Sequence, residues 1–419
     1  MKTKIDRENF DSGIHTLREL LIEQKTRAIP PRSNFGNVLF LKVLRFLLLF
    51  PLISTAAPME IEWREISDNA GGSKGAIQLQ SGKILATRTE SSAGELRVIC
   101  SQSTDNGKSW STLSTIVQES GRADLGDGHL LQLPSGTLLY SYRHHRFAED
   151  PDPINRYSIR IAMSEDFGKT WNPHSVVARS NHNFVKEPDA LRGLWASFLL
   201  QKKDGTLFCF YDDEETPHRK GFHRHQWLTM KQWDPVIKEW INPVTVSRAH
   251  DESNLSRDGM PTLIELPNGR LICVYESVKT APPYANCIRS VTSDDGGKTW
   301  SWIDEKREIV FEAGDHLAIS PWMIRLPTGE LICIFATDQD RGKPAISGTD
   351  PRKIFSDLKA IVSSNNGKSW ELLATPIFKE THRSYLPGII LLNNNEFLVT
   401  FLDFAEGRPR ALRGVLSNR

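Results

Sequence analysis

The chain has 419 residues, 39% of them hydrophobic and 25% charged, with a formal net charge of +1. This composition excludes a disordered chain and a polytopic membrane protein, and the balanced charge excludes a polycationic nucleic-acid face. The length requires two ordinary domains or one large domain built of repeats. Five cysteines cannot complete a disulfide framework. Cys100, Cys209, Cys273 and Cys333 sit in apolar β-type runs and read as buried thiols, with Cys273 and Cys287 the one pair that neighbouring strands could bring together. No CxxC or His/Cys ligand spacing occurs, so no metal or other cofactor is expected.

Residues 38–57 read VLFLKVLRFLLLFPLISTAA. The uncharged core, Phe46 to Ile53, is eight residues long, against the roughly 20 that a membrane span needs. With Lys42 and Arg45 ahead of it and Ser54-Thr55-Ala56-Ala57 behind, it matches a signal peptide, an uncleaved anchor being the alternative. The 37 residues in front are either a native extension or a start placed too far upstream. The expectation is an exported body from about residue 58, with no membrane span after cleavage.

An isolated β run, Glu60 to Ile66, opens that body. Six hairpin patterns follow, each an apolar alternating run, a Gly or Asn turn, and a second apolar run: SGKILAT at Ser81, SGTLLYSY at Ser135, DGTLFCFY at Asp204, NGRLICVYE at Asn268, TGELICIFAT at Thr328 and NNEFLVTF at Asn394. The turn glycines are 54, 69, 64 and 60 residues apart, a period that suits four strands per unit. Most units carry a second element, Ser-x-Asp-x-Gly-x-x-Trp, at Ser103–Trp110, Ser164–Trp171 and Ser293–Trp300. A fourth, Ser363–Trp370, has Asn365 for Asp, and an eroded fifth lies around Lys231 to Trp240. Such a segment is a turn in which the carboxylate or amide accepts backbone N–H groups and Gly takes the positive-φ position. After the sixth hairpin only about one strand remains, Ala411 to Leu416. The fold expected is all-β: a six-bladed propeller of four-stranded blades over 58–419, its last blade completed by the Glu60–Ile66 strand.

In a propeller the pore mouth is lined where the first strand of each blade begins and the second ends. The segments there are polar: Arg122 to His129, Glu187 to Trp195, Ser256 to Pro261, Asp315 to Ser320 and His382 to Tyr385 on the way in; Tyr142 to His145, Tyr211 to Glu215, Tyr275-Glu276 and Asp338 to Asp340 on the way out. Glu276 ends an apolar strand and suits a nucleophile or base in glycoside cleavage, or a rim carboxylate paired with Arg257. Tyr385 suits an oxocarbenium stabiliser or nucleophile beside it, or a packing residue.

The repeated Ser-x-Asp-x-Gly-x-x-Trp is the Asp-box, and with six hairpins in register the chain resembles the sialidase superfamily over about residues 60–419. Gly193-Leu194-Trp195, Ser256 to Pro261 and Val274-Tyr275-Glu276 further resemble exo-arabinanase-type propellers. The resemblance implies a retaining exo-glycosidase acting on a glycan, arabinan-like or sialoside-like, with Glu276 as nucleophile and Tyr385 its neighbour. Those relatives place their general acid straight after the tryptophan, where this chain has Ala196. The acid then falls to Asp212, Asp213 or Glu187, or the protein binds carbohydrate without cleaving it. Expected ligand contacts are Arg122, Asp127, Trp195, Arg257, Asp258, Asp315, His316 and Arg383. The sialidase arginine triad would begin where Lys74 stands, with Arg257, Arg383 and Arg122 as the remaining arginines, and lysine is no bidentate equivalent. A monomer with a glycan ligand is expected.

Overall fold

The computed structural model describes residues 59–278, 286–304, 306–342, 344, 354–373, 377 and 383–416. The segment 38–57 and His382 lie outside the described residues. The first strand, β1 (Ile61–Ser67), leads into blade 1: β2 (Ile77–Gln78), β3 (Ile84–Ser92), β4 (Glu95–Ser103) and β5 (Ser111–Ser120). Blade 2 is β6 (Ala123–Gln132), β7 (Leu138–Arg146), β8 (Ile154–Ser164) and β9 (Asn172–Asn183). Blade 3 is β10 (Leu194–Gln201), β11 (Leu207–Asp213), β12 (Trp227–Asp234) and β13 (Glu239–Ser247), with a short helix α1 (Glu215–Arg219) after β11. Blade 4 is β14 (Arg257–Glu265), β15 (Leu271–Val278), β16 (Cys287–Ser293) and β17 (Glu308–Glu312). Blade 5 is β18 (Ala318–Arg325), β19 (Leu331–Thr337), β20 (Asp357–Ser363) and β21 (Glu371–Leu372). Blade 6 is β22 (Ser384–Asn393), β23 (Glu396–Asp403) and β24 (Arg408–Leu416), and β1 adds to it as the fourth and outermost strand.

The strands of blades 1 to 5 pair antiparallel in sequence order, as meanders, and blade 6 does the same with β22, β23 and β24 before β1 joins its outer edge. The first turn of blades 1 to 5 carries Gly82, Gly136, Gly205, Gly269 or Gly329, all at positive φ. The second repeated turn is built alike in its four copies. In the first, Ser103 Oγ accepts the Gly107 N–H at 2.9 Å and donates to Asp105 at 2.8 Å, while Asp105 Oδ1 accepts the Ser109 N–H at 2.9 Å. Asn365 accepts the Ser369 N–H at the same 2.9 Å, so an amide serves as well as a carboxylate.

The glycine of this turn has a second duty. A Cβ on Gly107 would lie 2.8 Å from Leu398 of blade 6, one on Gly297 3.0 Å from Met230 of blade 3, and one on Gly367 3.0 Å from Ile272 of blade 4. The turn of one blade therefore presses on the apolar face of the preceding blade. The blades share continuous apolar cores of residues such as Leu85, Leu130, Phe210, Val274 and Phe335. All five cysteines are buried and free. Cys273 faces Val291 and Cys287 faces Ser277, so the one conceivable disulfide is out of register.

Ring closure follows the expected plan. β1 pairs β24 from Ile61↔Leu416 to Ser67↔Ala411, and Arg410 reaches back to Glu65. Trp63 packs on Phe397 at 6.3 Å between ring centres and lies over Gly414. Deleting residues 58–67 removes this ladder and exposes the edge of β24. At about 1 kcal/mol per lost backbone hydrogen bond, plus the burial of Trp63, the cost approaches the whole stability of a domain. The truncated protein should fail to fold or melt far below the full chain; an unchanged melting temperature would refute closure by β1.

The turns also predict an acid response. Asp105, Asp166 and Asp295 are held at about 2, Asp105 chiefly by its bonds from Ser109 and Asp166 by those from Thr170, while at Asp295 burial opposes ionisation and the bonds from Thr299, with Ser293, together outweigh it. A depressed carboxylate contributes stability above its unfolded value and loses it as pH falls through the folded one. Their contribution should therefore be complete above about pH 4 and fade toward pH 2. Asp295→Asn, which copies Asn365, should leave the neutral melting temperature nearly unchanged and flatten its fall in that window, as measured by calorimetry.

Candidate functional site

The first strand of a blade cannot run straight past the axis. Register shifts mark this place between Gly126 and His129, Leu194 and Ser197, Gly259 and Thr262, Ile319 and Trp322, and Tyr385 and Gly388. Asp127, Met260, Ser320 and Leu386 adopt left-handed φ of 51°, 53°, 54° and 50° there. Such bulges re-aim side chains and backbone N–H groups. Met260 N–H points at Asp212, 3.1 Å from Oδ1, and Ser320 N–H donates to Glu276 Oε2 at 2.7 Å. In both cases the bulge of one blade caps the carboxylate ending the second strand of the blade before it.

These positions share a spacing from the turn glycine. Nine residues before it stand Ser73, Asp127, Ala196, Met260 and Ser320; seven after it stand Thr89, Arg143, Asp212, Glu276 and Ala336. Seven before it come Gly75, His129, Phe198, Thr262 and Trp322. In this last ring His129 stacks on Phe198 at 4.1 Å and meets Trp322 edge-on at 5.3 Å, an aromatic floor across the axis. His129 Nδ1 accepts the Leu199 N–H, and burial with nearby Lys74 pushes its pKa down to about 3, so the floor is uncharged.

Above that floor sits Lys74, buried, its Nζ 3.5 Å from Met260 Sδ and 5.9 Å from the centre of the Trp322 ring. Its charge acts on Asp127, Asp212 and Glu276 alike. The three carboxyl groups nevertheless differ. Burial opposes ionisation of Asp127, but Arg143 and Lys74 outweigh it and hold the group below the usual carboxylate range. Arg143 is itself shared with Asp124 at 2.9 Å. Burial raises Glu276 to about 7, moderated by the Ser320 N–H and Lys74. Asp212 is driven well above the usual range by burial and by the charges of Glu276 and Asp127. Burial and those same two charges push the Tyr385 phenol well above its ordinary value.

A cavity of about 1000 Å³ opens from this centre, lined by Lys74, Asp127, Arg143, Trp195 and Tyr385 and running outward along blades 1 and 6 past Arg88, Glu90, Phe404 and Arg408. Trp195 stands 5.8 Å from the Arg143 guanidinium and keeps a buried Nε1 without a hydrogen-bond partner among the described residues. Asp127, Trp195, Tyr385, Glu276 and Asp212 of the expected residues are thus gathered round one centre.

The other expected residues are engaged elsewhere. Asp213 points away from the axis, accepting the Thr216 N–H at 2.9 Å and the Thr216 and Thr229 hydroxyls, and so cannot stand in for Asp212. Asp258 is fully buried, bound by Arg307, Ser247 and Ser256, with no face left for a ligand. Arg257 pairs with Glu214 and Gln226, not with Glu276. Arg122 is exposed on the rim and donates to the Ala148 carbonyl at 2.7 Å. Asp315 is exposed, and His316 lies 3.5 Å from Asp338 on the blade 5 rim. Arg383 stacks over Phe355 at 4.9 Å. Glu187 pairs with Arg192 at the edge of blade 3. Among the described residues no group of His, Cys, Asp or Glu could hold a metal ion. Sequence reasoning passed over Lys74, Arg143, Met260 and Ser320 as members of one centre; counting from each turn glycine brings all but Lys74 into the same ring.

No protein-family model matches the chain. Sialidase-2 of Mus musculus is 35% identical over 98 residues, covering 20% of this chain and 25% of that protein. The chain thus matches only a quarter of the length of that relative. Among solved structures, an α-L-arabinanase of Penicillium chrysogenum complexed with arabinobiose superposes with a TM-score of 0.60 at 18% identity, over 86% of this chain and 98% of that one. An α-L-arabinofuranosidase of Fusarium graminearum, in complex with an iminosugar inhibitor, gives 0.59 at 19% identity, over 84% and 96%. NanB sialidase of Streptococcus pneumoniae gives 0.54 at 13% identity, over 85% and 69%. The chain is a six-bladed β-propeller sharing its fold with these arabinanases and sialidases.

Proposed function

We propose that the protein is an exported, retaining exo-glycosidase. The observation that carries the reading is the spread of ionisation among three carboxyl groups that share the charge of Lys74, of which Asp127 lines the cavity: Asp127 is held below the usual carboxylate range, Glu276 is raised to about 7, and Asp212 is driven well above that range. Retaining glycosidases need a carboxylate nucleophile and a neutral carboxylic acid, and opposed environments are the means of having both at one pH. Glu276 is the nucleophile: its Oε2 is pinned by the Ser320 N–H, which leaves Oε1 to attack the anomeric carbon. Asp212 donates its proton to the departing oxygen and afterwards takes one from water. Tyr385 stands beside the developing oxocarbenium ion, and Trp195 offers an aromatic face and an N–H to the sugar. Export rests on the apolar segment at 46–53. No helix among the described residues is long and apolar enough to cross a membrane. Ala196, in place of the acid that the exo-arabinanase-type motif would put there, favours a second reading as a carbohydrate-binding propeller without turnover.

The test is hydrolysis of a panel of aryl glycosides and unmodified oligosaccharides, with product anomers followed by NMR. Retention is expected, and Glu276→Gln should lower kcat by about 10³-fold or more. Inverted product would refute the nucleophile; binding without any turnover would establish the second reading.

The pH profile gives a separate check. Glu276 must be ionised, so kcat/KM should rise through about pH 7. Asp212 must be protonated, so activity should fall again above its raised pKa. Asp212→Asn should erase the alkaline limb and cost roughly 10²–10⁴-fold on an unactivated glycan, far less on a nitrophenyl glycoside. Equal losses on both substrates would assign the acid elsewhere.

A further inference from the structure

Lys74 is only 5% exposed, yet its ammonium forms no ion pair among the described residues. Its one hydrogen bond there runs from Nζ to Met260 Sδ at 3.5 Å. An ammonium carries three N–H donors, and a thioether is a weak acceptor for one of them. A buried charge left in this state is costly and calls for a reason. Service as a counter-ion is not that reason. A counter-ion would sit on its carboxylate, and among the described residues none of Asp127, Asp212 and Glu276 pairs with Nζ.

The placement of the side chain is fixed from both ends. At the blade 1 end the Lys74 N–H donates to the Leu386 carbonyl of blade 6 at 2.9 Å, and a Cβ on Gly388 would come within 3.4 Å of the Lys74 Cα. At the other end Nζ lies beside Met260 of blade 4, so the side chain spans the pore. Lys74 lines the cavity together with Asp127. Arg143 occupies Asp127 Oδ2, while Oδ1 accepts no hydrogen bond among the described residues. One cavity thus holds spare N–H donors and a spare carboxylate oxygen that do not satisfy each other.

We infer that Lys74 and Asp127 together bind the end residue of a glycan, and that this residue is an uncharged sugar held by two neighbouring hydroxyl groups. Lys74 donates to the oxygen of one hydroxyl, and Asp127 Oδ1 accepts the O–H of the other. A sugar carboxylate would suit the ammonium but would bring a second anion against Asp127, and a lone ammonium lacks the planar fork that holds a carboxylate bidentately. The inference rests on the reading that the cavity takes a glycan, and it applies to a binder and to an enzyme alike. No covalent bond is made or broken at either residue.

The test uses the full chain and an array of immobilised oligosaccharides whose end residues are neutral pentoses, neutral hexoses, uronic acids or sialic acids. Calorimetric titration in the cold with the best-bound glycan follows. The wild type should retain neutral ends and leave acidic ones. Lys74→Met keeps the length of the side chain and removes its charge. It should weaken the best neutral glycan by about ten- to hundredfold, the effect of one hydrogen bond from a charged donor, with no fall in melting temperature. Asp127→Asn should weaken the same glycan and admit glycans with acidic ends. A wild-type preference for acidic ends would overturn the inference, as would a Lys74→Met affinity within about twofold of the wild type. If Lys74→Met does not fold, Lys74→Gln supplies the affinity reading; loss of folding in both would make the residue structural and overturn the inference as well. In each of these cases the glycan reading stands. Absence of all glycan binding and all turnover would instead remove that reading, and this inference with it.

Discussion

Lys74 places one buried positive charge among Asp127, Asp212 and Glu276, and the character of the pore follows from that imbalance. Three carboxylates in a low-dielectric channel cannot all ionise against one ammonium. The fold resolves the competition by geometry. Arg143 gives Asp127 a second cation, Ser320 gives Glu276 a backbone donor at 2.7 Å, and Asp212 receives, among the described residues, the longer Met260 N–H contact at 3.1 and 3.3 Å. The order of ionisation follows the order of that support.

The propeller makes this support possible because each blade delivers its polar ends at the same height. The inner strand supplies a left-handed bulge whose N–H faces the previous blade, and the second strand ends in the side chain that this N–H can meet. Beneath the carboxyl groups, His129 packs on Phe198 and Trp322 as an uncharged aromatic cluster of low polarity, in which electrostatic contrasts are strong. Rigidity comes from elsewhere: from turns such as Ser103–Trp110 that press a glycine on the neighbouring blade, and from β1 sealing the last sheet. The rim is held by ion pairs that need no ligand, Arg257 with Glu214 and Arg307 with Asp258.

The blade count, the hairpins, the Ser-x-Asp-x-Gly-x-x-Trp turns and the closing strand were all legible in the chain, because each depends on local periodicity and on residues that only a turn requires. Glu276, Tyr385, Asp127 and Trp195 were legible as polar or aromatic residues at strand ends that apolar packing did not need. The distinction between Asp212 and Asp213 was not. Adjacent residues on a strand face opposite sides, and which side meets the axis is set by a bulge in another strand, invisible from β11 itself. Nor was the fate of Arg257 and Asp258 legible, since Glu214 and Arg307 come from distant turns and only the folded ring brings them within bonding reach. The sequence by itself determined the architecture, since repeats write their own period. The tertiary structure decided which carboxyl groups share Lys74 and how each ionises, since burial and charge at the axis are sums over five blades that no single segment contains.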